Sequence, residues 1–186
     1  MLVLGVSGSL RAGSYNTALL RATADLLPPL ARLELIGDLA ELPPYSEDLD
    51  GEPAPVAVAR LRERVAAADA LLIATPEYNA SLPGQLKNAL DWLSRPYPGN
   101  ALRDLPAAVI GASTGLFGAV WAQAEVRKVL DFAGADVLGV ELPLGDAEEA
   151  FDEQLSLVAS DYRLELEELL AELVAYAAEK VKVASI

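Results

Sequence analysis

The sequence predicts an α/β fold: a parallel, five-stranded sheet with helices layered against it. Three observations support this reading. Strand-like and helix-like patterns alternate five times along the chain. The first, third and fourth strand patterns are near-continuous apolar runs, as expected of strands covered on both faces. The chain has 186 residues, 53% of them apolar, which is enough to bury a core and too apolar for disorder.

The elements follow in order. A first strand spans Leu2 to Ser7. A helical pattern follows from Ser14 to Leu27, with Ser14 as a candidate N-cap. Further strands are read at Arg32 to Ile36, Ala70 to Thr75, Ala107 to Ala112 and Asp136 to Glu141, and further helices at Pro55 to Ala68, Leu82 to Ser94 and Phe117 to Ala133. Leu42 to Pro55 carries four prolines and reads as a surface loop. A last helical pattern covers about Ala147 to Val181. Leu155, Val158, Tyr162, Leu166, Leu169, Leu173 and Ala177 recur there at spacings of three and four, and the length predicts a break in its first third. There are no repeats and no interdomain linker, so residues 1–186 are expected to form a single domain.

Composition narrows the chemistry. The chain has no Cys and no His, which excludes disulfides, thiolate or imidazole metal sites, cysteine nucleophiles and Ser-His-Asp triads. Chemistry is left to carboxylates, hydroxyls, Lys, Arg, backbone amides or a bound cofactor. The net charge of −14 argues against nucleic acid. Much of it lies between Glu141 and Glu172, where eleven acidic residues face one basic residue, Arg163. This segment reads as a solvated helix face. No apolar run is long enough to span a membrane, and the strand-like start carries no leader pattern, so a cytoplasmic protein is expected.

In such sheets ligands bind beyond the carboxyl ends of the strands, and three loops there hold the unusual residues. The first places Ser9, Arg11, Ser14, Asn16 and Thr17 beside Gly8 and Gly13 at a helix start. A helix N-terminus offers free N–H groups and partial positive charge, which suits a phosphate. A plainly capped turn is the alternative. The spacing is neither GxxxxGK[ST] nor GxGxxG. In the second loop Pro76, Glu77, Tyr78 and Asn79 set polar and aromatic groups at a strand end, and Ser81 is a candidate cap for the next helix. On that helix Leu82, Leu86, Leu90 and Leu93 share a face near Trp92, more apolar surface than one stripe requires, which suggests self-association. Lys87 and Asp91 stand at ion-pair spacing. The third loop carries Gly111, Ser113, Thr114, Gly115 and Gly118, open enough for a flat ligand to approach.

"GSLRAGSYN", "PEYNASLPGQLKNALDW" and "GASTGLFG", in this order and on these elements, resemble the NADPH-dependent FMN reductase family of quinone, azo-dye and chromate reductases. The resemblance covers about Met1 to Glu141. It implies a flavodoxin-like three-layer sandwich with strand order 2-1-3-4-5. Ser9, Arg11, Ser14, Asn16 and Thr17 would hold the FMN phosphate, with Tyr15 among the cofactor-binding residues. Pro76, Glu77, Tyr78 and Asn79 would border the flavin ring, and Ser113, Thr114, Gly115 and Gly118 would close its far side. It further implies hydride transfer from NADPH or NADH through FMN to a small acceptor, in a homodimer or homotetramer; loop glycines that leave one flavin face open, with no second site on so short a chain, predict a ping-pong mechanism. The helix bearing Lys87, Asn88, Asp91 and Trp92 would lie near subunit contacts. Independently, a chain without His, Cys or an evident metal site needs borrowed chemistry, and a flavin supplies hydride transfer by itself, so no side chain is assigned as catalytic. Two alternatives stand beside this reading. One is a non-enzymatic electron carrier of the flavodoxin type; the other is a carboxylate-metal hydrolase using Glu77 and Asp91.

Overall fold

The computed structural model describes residues 1–37 and 39–184. Five strands, β1 (Leu2–Ser7), β2 (Arg32–Ile36), β3 (Ala70–Ala74), β4 (Pro106–Ala112) and β5 (Asp136–Leu144), form one parallel sheet in the order β2-β1-β3-β4-β5. This is the expected flavodoxin-like order. The helices are α1 (Tyr15–Thr23), α2 (Val56–Ala66), α3 (Gly84–Leu93), α4 (Val120–Ala133), the single turn α5 (Ala147–Ala150) and α6 (Ser160–Ala184). Alternation along each strand divides the core into two layers. Val3, Leu72, Ala108 and Ile110 pack with Leu19 and Leu20 of α1 and Leu166, Leu170 and Leu173 of α6. Leu4, Val6, Leu71, Ile73 and Val109 pack with α2, α3 and α4 through Val58, Leu86, Trp92, Val126 and Leu130. Among the described residues no helix is long and apolar enough to cross a membrane.

Element boundaries differ from the sequence reading for local reasons. α1 stops at Thr23, and the amides of Leu26 and Leu27 both turn back to the Thr23 carbonyl. The prolines at 28 and 29 disfavour further helix. β5 runs on through Pro143 to Leu144, because an edge strand tolerates proline. Its register slips between Ala107 and Val109 of β4. The expected break in the last helix spans residues 151–159. Leu155 sits there at φ 62° and Val158 is exposed, so neither joins the helical stripe.

The proline-rich stretch is not wholly a surface loop. Its start straps α3: the Pro43 carbonyl accepts from Trp92 Nε1 at 2.8 Å and from Asn88 Nδ2 at 2.9 Å, and the Tyr45 N–H donates to Asn88 Oδ1 at 2.7 Å. The Tyr45 ring meets Trp92 edge-on at 4.9 Å. Leu86, Leu90, Trp92 and Leu93 are therefore buried within the chain, and the apolar surplus on α3 is no argument for self-association.

The strand ends are drawn together by Asn16. Its Nδ2 donates to the Ala112 carbonyl at 2.8 Å, and its Oδ1 accepts from the Ala112 N–H at 2.9 Å, both buried. Asn16→Ala would strand a buried donor and a buried acceptor, each worth roughly 1–3 kcal/mol. Denaturant unfolding of the flavin-free protein should then show a loss of about 2–4 kcal/mol.

Candidate flavin site

The first loop is built around unpaired donors. Ser14 caps α1, its Oγ accepting from the Thr17 N–H at 3.3 Å. Ser9 Oγ accepts from the Arg11 N–H at 3.4 Å, and Ser7 Oγ lies 2.8 Å from Thr17 Oγ1. Among the described residues, the main-chain N–H groups of Leu10, Ala12, Gly13, Ser14, Tyr15 and Asn16 donate to no protein acceptor. This run of free amides at a helix N-terminus is an anion-binding nest. The Arg11 guanidinium is exposed and, among the described residues, is tied only to the Gly13 carbonyl of its own loop, at 3.4 Å. The donor set of amides, hydroxyls and one guanidinium fits a dianionic phosphate.

Two residues expected in the loop are used elsewhere. The Asn16 amide is spent on Ala112, leaving its main-chain N–H as its donor to the loop. The Tyr15 ring turns away and packs on Phe151 at 5.4 Å.

The second loop leaves β3 under tight control. The buried Pro76 has its carbonyl capped by Thr75 Oγ1 at 2.8 Å. Tyr78 and Ser81 exchange main-chain hydrogen bonds at 3.0 and 3.1 Å, enclosing Asn79 at φ 53° and Ala80 at φ 58°. This is the two-residue turn with both central residues left-handed. Tyr78 is half exposed and lines a cleft of about 310 Å³ together with Gly8, Leu10, Arg11, Pro83, Gly84 and Gln85. The cleft thus joins the first loop to the second.

The third loop is joined through α4. Glu77 Oε2 accepts from the N–H groups of Trp121 and Ala122, both at 3.1 Å, and so caps a helix that has no side-chain cap of its own. In return Glu125 Oε2 on α4 accepts from Ser81 Oγ and, at 3.4 Å, from the Leu82 N–H. Ser81 is therefore bonded to α4 and does not cap α3, which starts after Pro83. The Ser81 hydroxyl, then the Leu82 N–H, hold the Glu125 carboxyl below its ordinary range. A depressed carboxyl contributes when ionised, so this half of the clasp is present at neutral pH and weakens as pH falls into the carboxylate range.

Within the third loop Ser113 Oγ accepts from the Gly115 N–H at 3.1 Å, and Thr114 and Gly115 are exposed. Gly118 has φ 54°, and a Cβ there would lie 2.2 Å from the Pro143 carbonyl carbon, so only glycine closes the turn against β5. Leu116, Phe117 and Trp121 stand exposed beside it, with Phe117 and Trp121 edge-on at 5.2 Å.

The sequence reading did not single out Glu125 or Gln123 as site residues. Glu125 sits on an exposed helix face and carries no local signal. Gln123 had one: it falls on the apolar stripe of α4 with Ala119, Val126 and Leu130, where a polar residue is out of pattern. Asp91 pairs with Lys87 at 2.5 Å on α3. Neither it nor the engaged Glu77 is a free carboxylate, which leaves the hydrolase reading without support.

Comparison with known proteins places the chain in a family. The family model for NADPH-dependent FMN reductase matches residues 1–149. An NAD(P)H-dependent FMN reductase of Pseudomonas aeruginosa is 49% identical over 153 residues, 82% of each chain. A quinone reductase of Pseudomonas putida is 40% identical over 151 residues, 80% of each. The flavoenzyme FerB of Paracoccus denitrificans, an NAD(P)H:(acceptor) oxidoreductase, superposes with a TM-score of 0.87 at 35% identity, covering 96% of this chain and 97% of its own. A flavodoxin of Pseudomonas aeruginosa shares the fold alone, at TM-score 0.60 and 22% identity, covering 93% of this chain and 99% of its own. With a family model spanning residues 1–149 and a relative 49% identical over 82% of each chain, this chain belongs to the NADPH-dependent FMN reductase family.

Proposed function

We propose that the chain is an FMN-dependent NAD(P)H oxidoreductase acting on a small acceptor: a quinone, a free flavin, an azo compound or an oxidised metal. The observation that carries this is the nest of free N–H groups from Leu10 to Asn16 beside Arg11, opening into the cleft that Tyr78 lines. Ser9, Arg11, Ser14 and Thr17 would hold the FMN phosphate. Main-chain groups of Pro76 to Asn79 would border the ring, and Ser113 to Gly118 would close it. Bound FMN supplies the hydride chemistry that no side chain of this protein offers. The protein's own part is to orient the ring and to place fixed N–H dipoles where negative charge gathers on reduction; the amides of Glu77 and Asn79 donate to no protein acceptor among the described residues. The open cleft serves donor and acceptor in turn. The chain would work as one flavodoxin-like unit over residues 1–186, in the cytoplasm, where reduced nicotinamide is regenerated.

The assembly proposed is a homodimer or homotetramer. The support for it lies between α3 and α4, where Leu90, Asp91, Arg95, Tyr97, Lys128 and Phe132 line a groove of about 410 Å³. Phe132 is 94% exposed and Tyr97 75%, an unusual display of aromatic surface for an isolated subunit.

Four measurements test this reading. Arg11→Ala should weaken FMN binding by about 1.5–3 kcal/mol, the range for hydrogen bonds to charged groups, and riboflavin binding far less. Equal losses would mean that Arg11 only shapes its loop. Steady-state rates with NADH or NADPH and benzoquinone should give parallel double-reciprocal lines, whereas intersecting lines would require donor and acceptor to be bound together. If neither nicotinamide bleaches the bound flavin anaerobically, the electron-carrier reading takes over. Sedimentation at micromolar protein should show a dimer or tetramer, and Phe132→Asp should shift it toward monomer; a fully active monomer would refute the assembly.

A further inference from the structure

Gln123 lies one turn into α4 and is fully buried. Its Nε2 donates to the Gly118 carbonyl at 2.9 Å and to the Leu142 carbonyl of β5 at 3.3 Å. Its Oε1 is equally buried and accepts from nothing among the described residues. Space for the amide exists because residue 111 is glycine: a Cβ there would come within 2.9 Å of both Gln123 Nε2 and the Thr75 carbonyl.

This is a costly way to fill a core position. A buried amide acceptor without a partner opposes folding, and such a group calls for an explanation. A methionine of similar length would occupy the same space with no polar atom to satisfy. What it could not do is hold the Gly118 carbonyl. Gly118 is the left-handed residue on which the third loop closes, and its own N–H returns to the Gly115 carbonyl at 3.3 Å. The same first turn of α4 presents the Trp121 and Ala122 amides to Glu77. One side chain therefore links the closing peptide of the third loop, the edge strand and the helix start that anchors the second loop.

We propose that Gln123 is a positioning residue for the flavin, its buried amide locking the Gly118 peptide so that the second and third loops present one preformed surface to the ring. The inference rests on the placement of the flavin between these loops.

Two variants test it, Gln123→Met and Gln123→Glu, each measured for FMN dissociation constant by flavin fluorescence and for unfolding midpoint without FMN, from pH 5 to 8. Gln123→Met should keep or raise the midpoint while weakening FMN by about tenfold, the effect of roughly one hydrogen bond. In Gln123→Glu the carboxyl can donate to one carbonyl only while protonated; ionised, it faces two carbonyl oxygens. Its FMN affinity relative to the unmutated protein should therefore be near parity at low pH and fall as pH rises, a slope that Gln123→Met should not show. FMN affinities equal to the unmutated protein across the range would overturn the proposal. So would affinity losses that merely track the midpoint, since Gln123 would then be an ordinary core residue. If Gln123→Glu does not fold, Gln123→Met decides alone. Should Arg11→Ala also leave FMN binding untouched, the placement of the flavin is what has failed.

Discussion

Two hydrogen bonds between the Asn16 carboxamide and the main chain of Ala112 hold the rest of the site in register. They join the start of α1, which follows β1, to the end of β4, with β3 lying between those two strands in the sheet. Parallel strands by themselves only bring loops to the same side of a sheet. The amide ties the α1 N-terminus, which carries the free N–H groups of residues 12–16, to the start of the third loop. Because both partners are buried main-chain groups, losing the side chain leaves a buried N–H and a buried C=O without their acceptor and donor. The anion nest is thus a property of the sheet's far half as much as of its own loop.

Carboxylates make the second such connection. Glu77 reaches from the second loop to the first turn of α4, and Glu125 reaches back from α4 to Ser81 and Leu82. In a chain without His or Cys, acidic side chains close to a site invite a catalytic reading. Here each accepts two hydrogen bonds through its Oε2 and serves to hold two segments together. The hydride chemistry falls to the cofactor, and the polar side chains are free to act as struts.

Much of this was legible in the sequence. β1 and β2 match their predicted spans: β1 is a short apolar run, β2 an alternating one that follows the prolines at 28 and 29 and stops before Gly37. The three loops were legible because glycines and hydroxyls cluster at strand ends. What was not legible depends on contacts distant in the chain. Nothing local distinguishes an Asn that faces a phosphate from one that faces Ala112, 96 residues away. The apolar surplus on α3 pointed outward only while the Pro43–Tyr45 strap across it was unknown; prolines in sequence say that a segment is irregular, not what it covers. Ser81 satisfied the rule for a helix cap, but Pro83 delays the helix and Glu125 competes for the hydroxyl.

The turn at Asn79 and Ala80 carries a consequence for how a ligand is received. Glycine is the residue that adopts a left-handed backbone without strain, yet position 80 holds alanine at φ 58°. The added methyl disfavours this shape by about 1–2 kcal/mol, and it also removes most of the other shapes a glycine would sample. The neighbouring bonds from Tyr78, Ser81 and Glu125 hold the chain in the conformation that remains. A loop made this way is preorganised: its entropy is surrendered during folding, so little ordering is left to oppose binding when a flat ligand arrives.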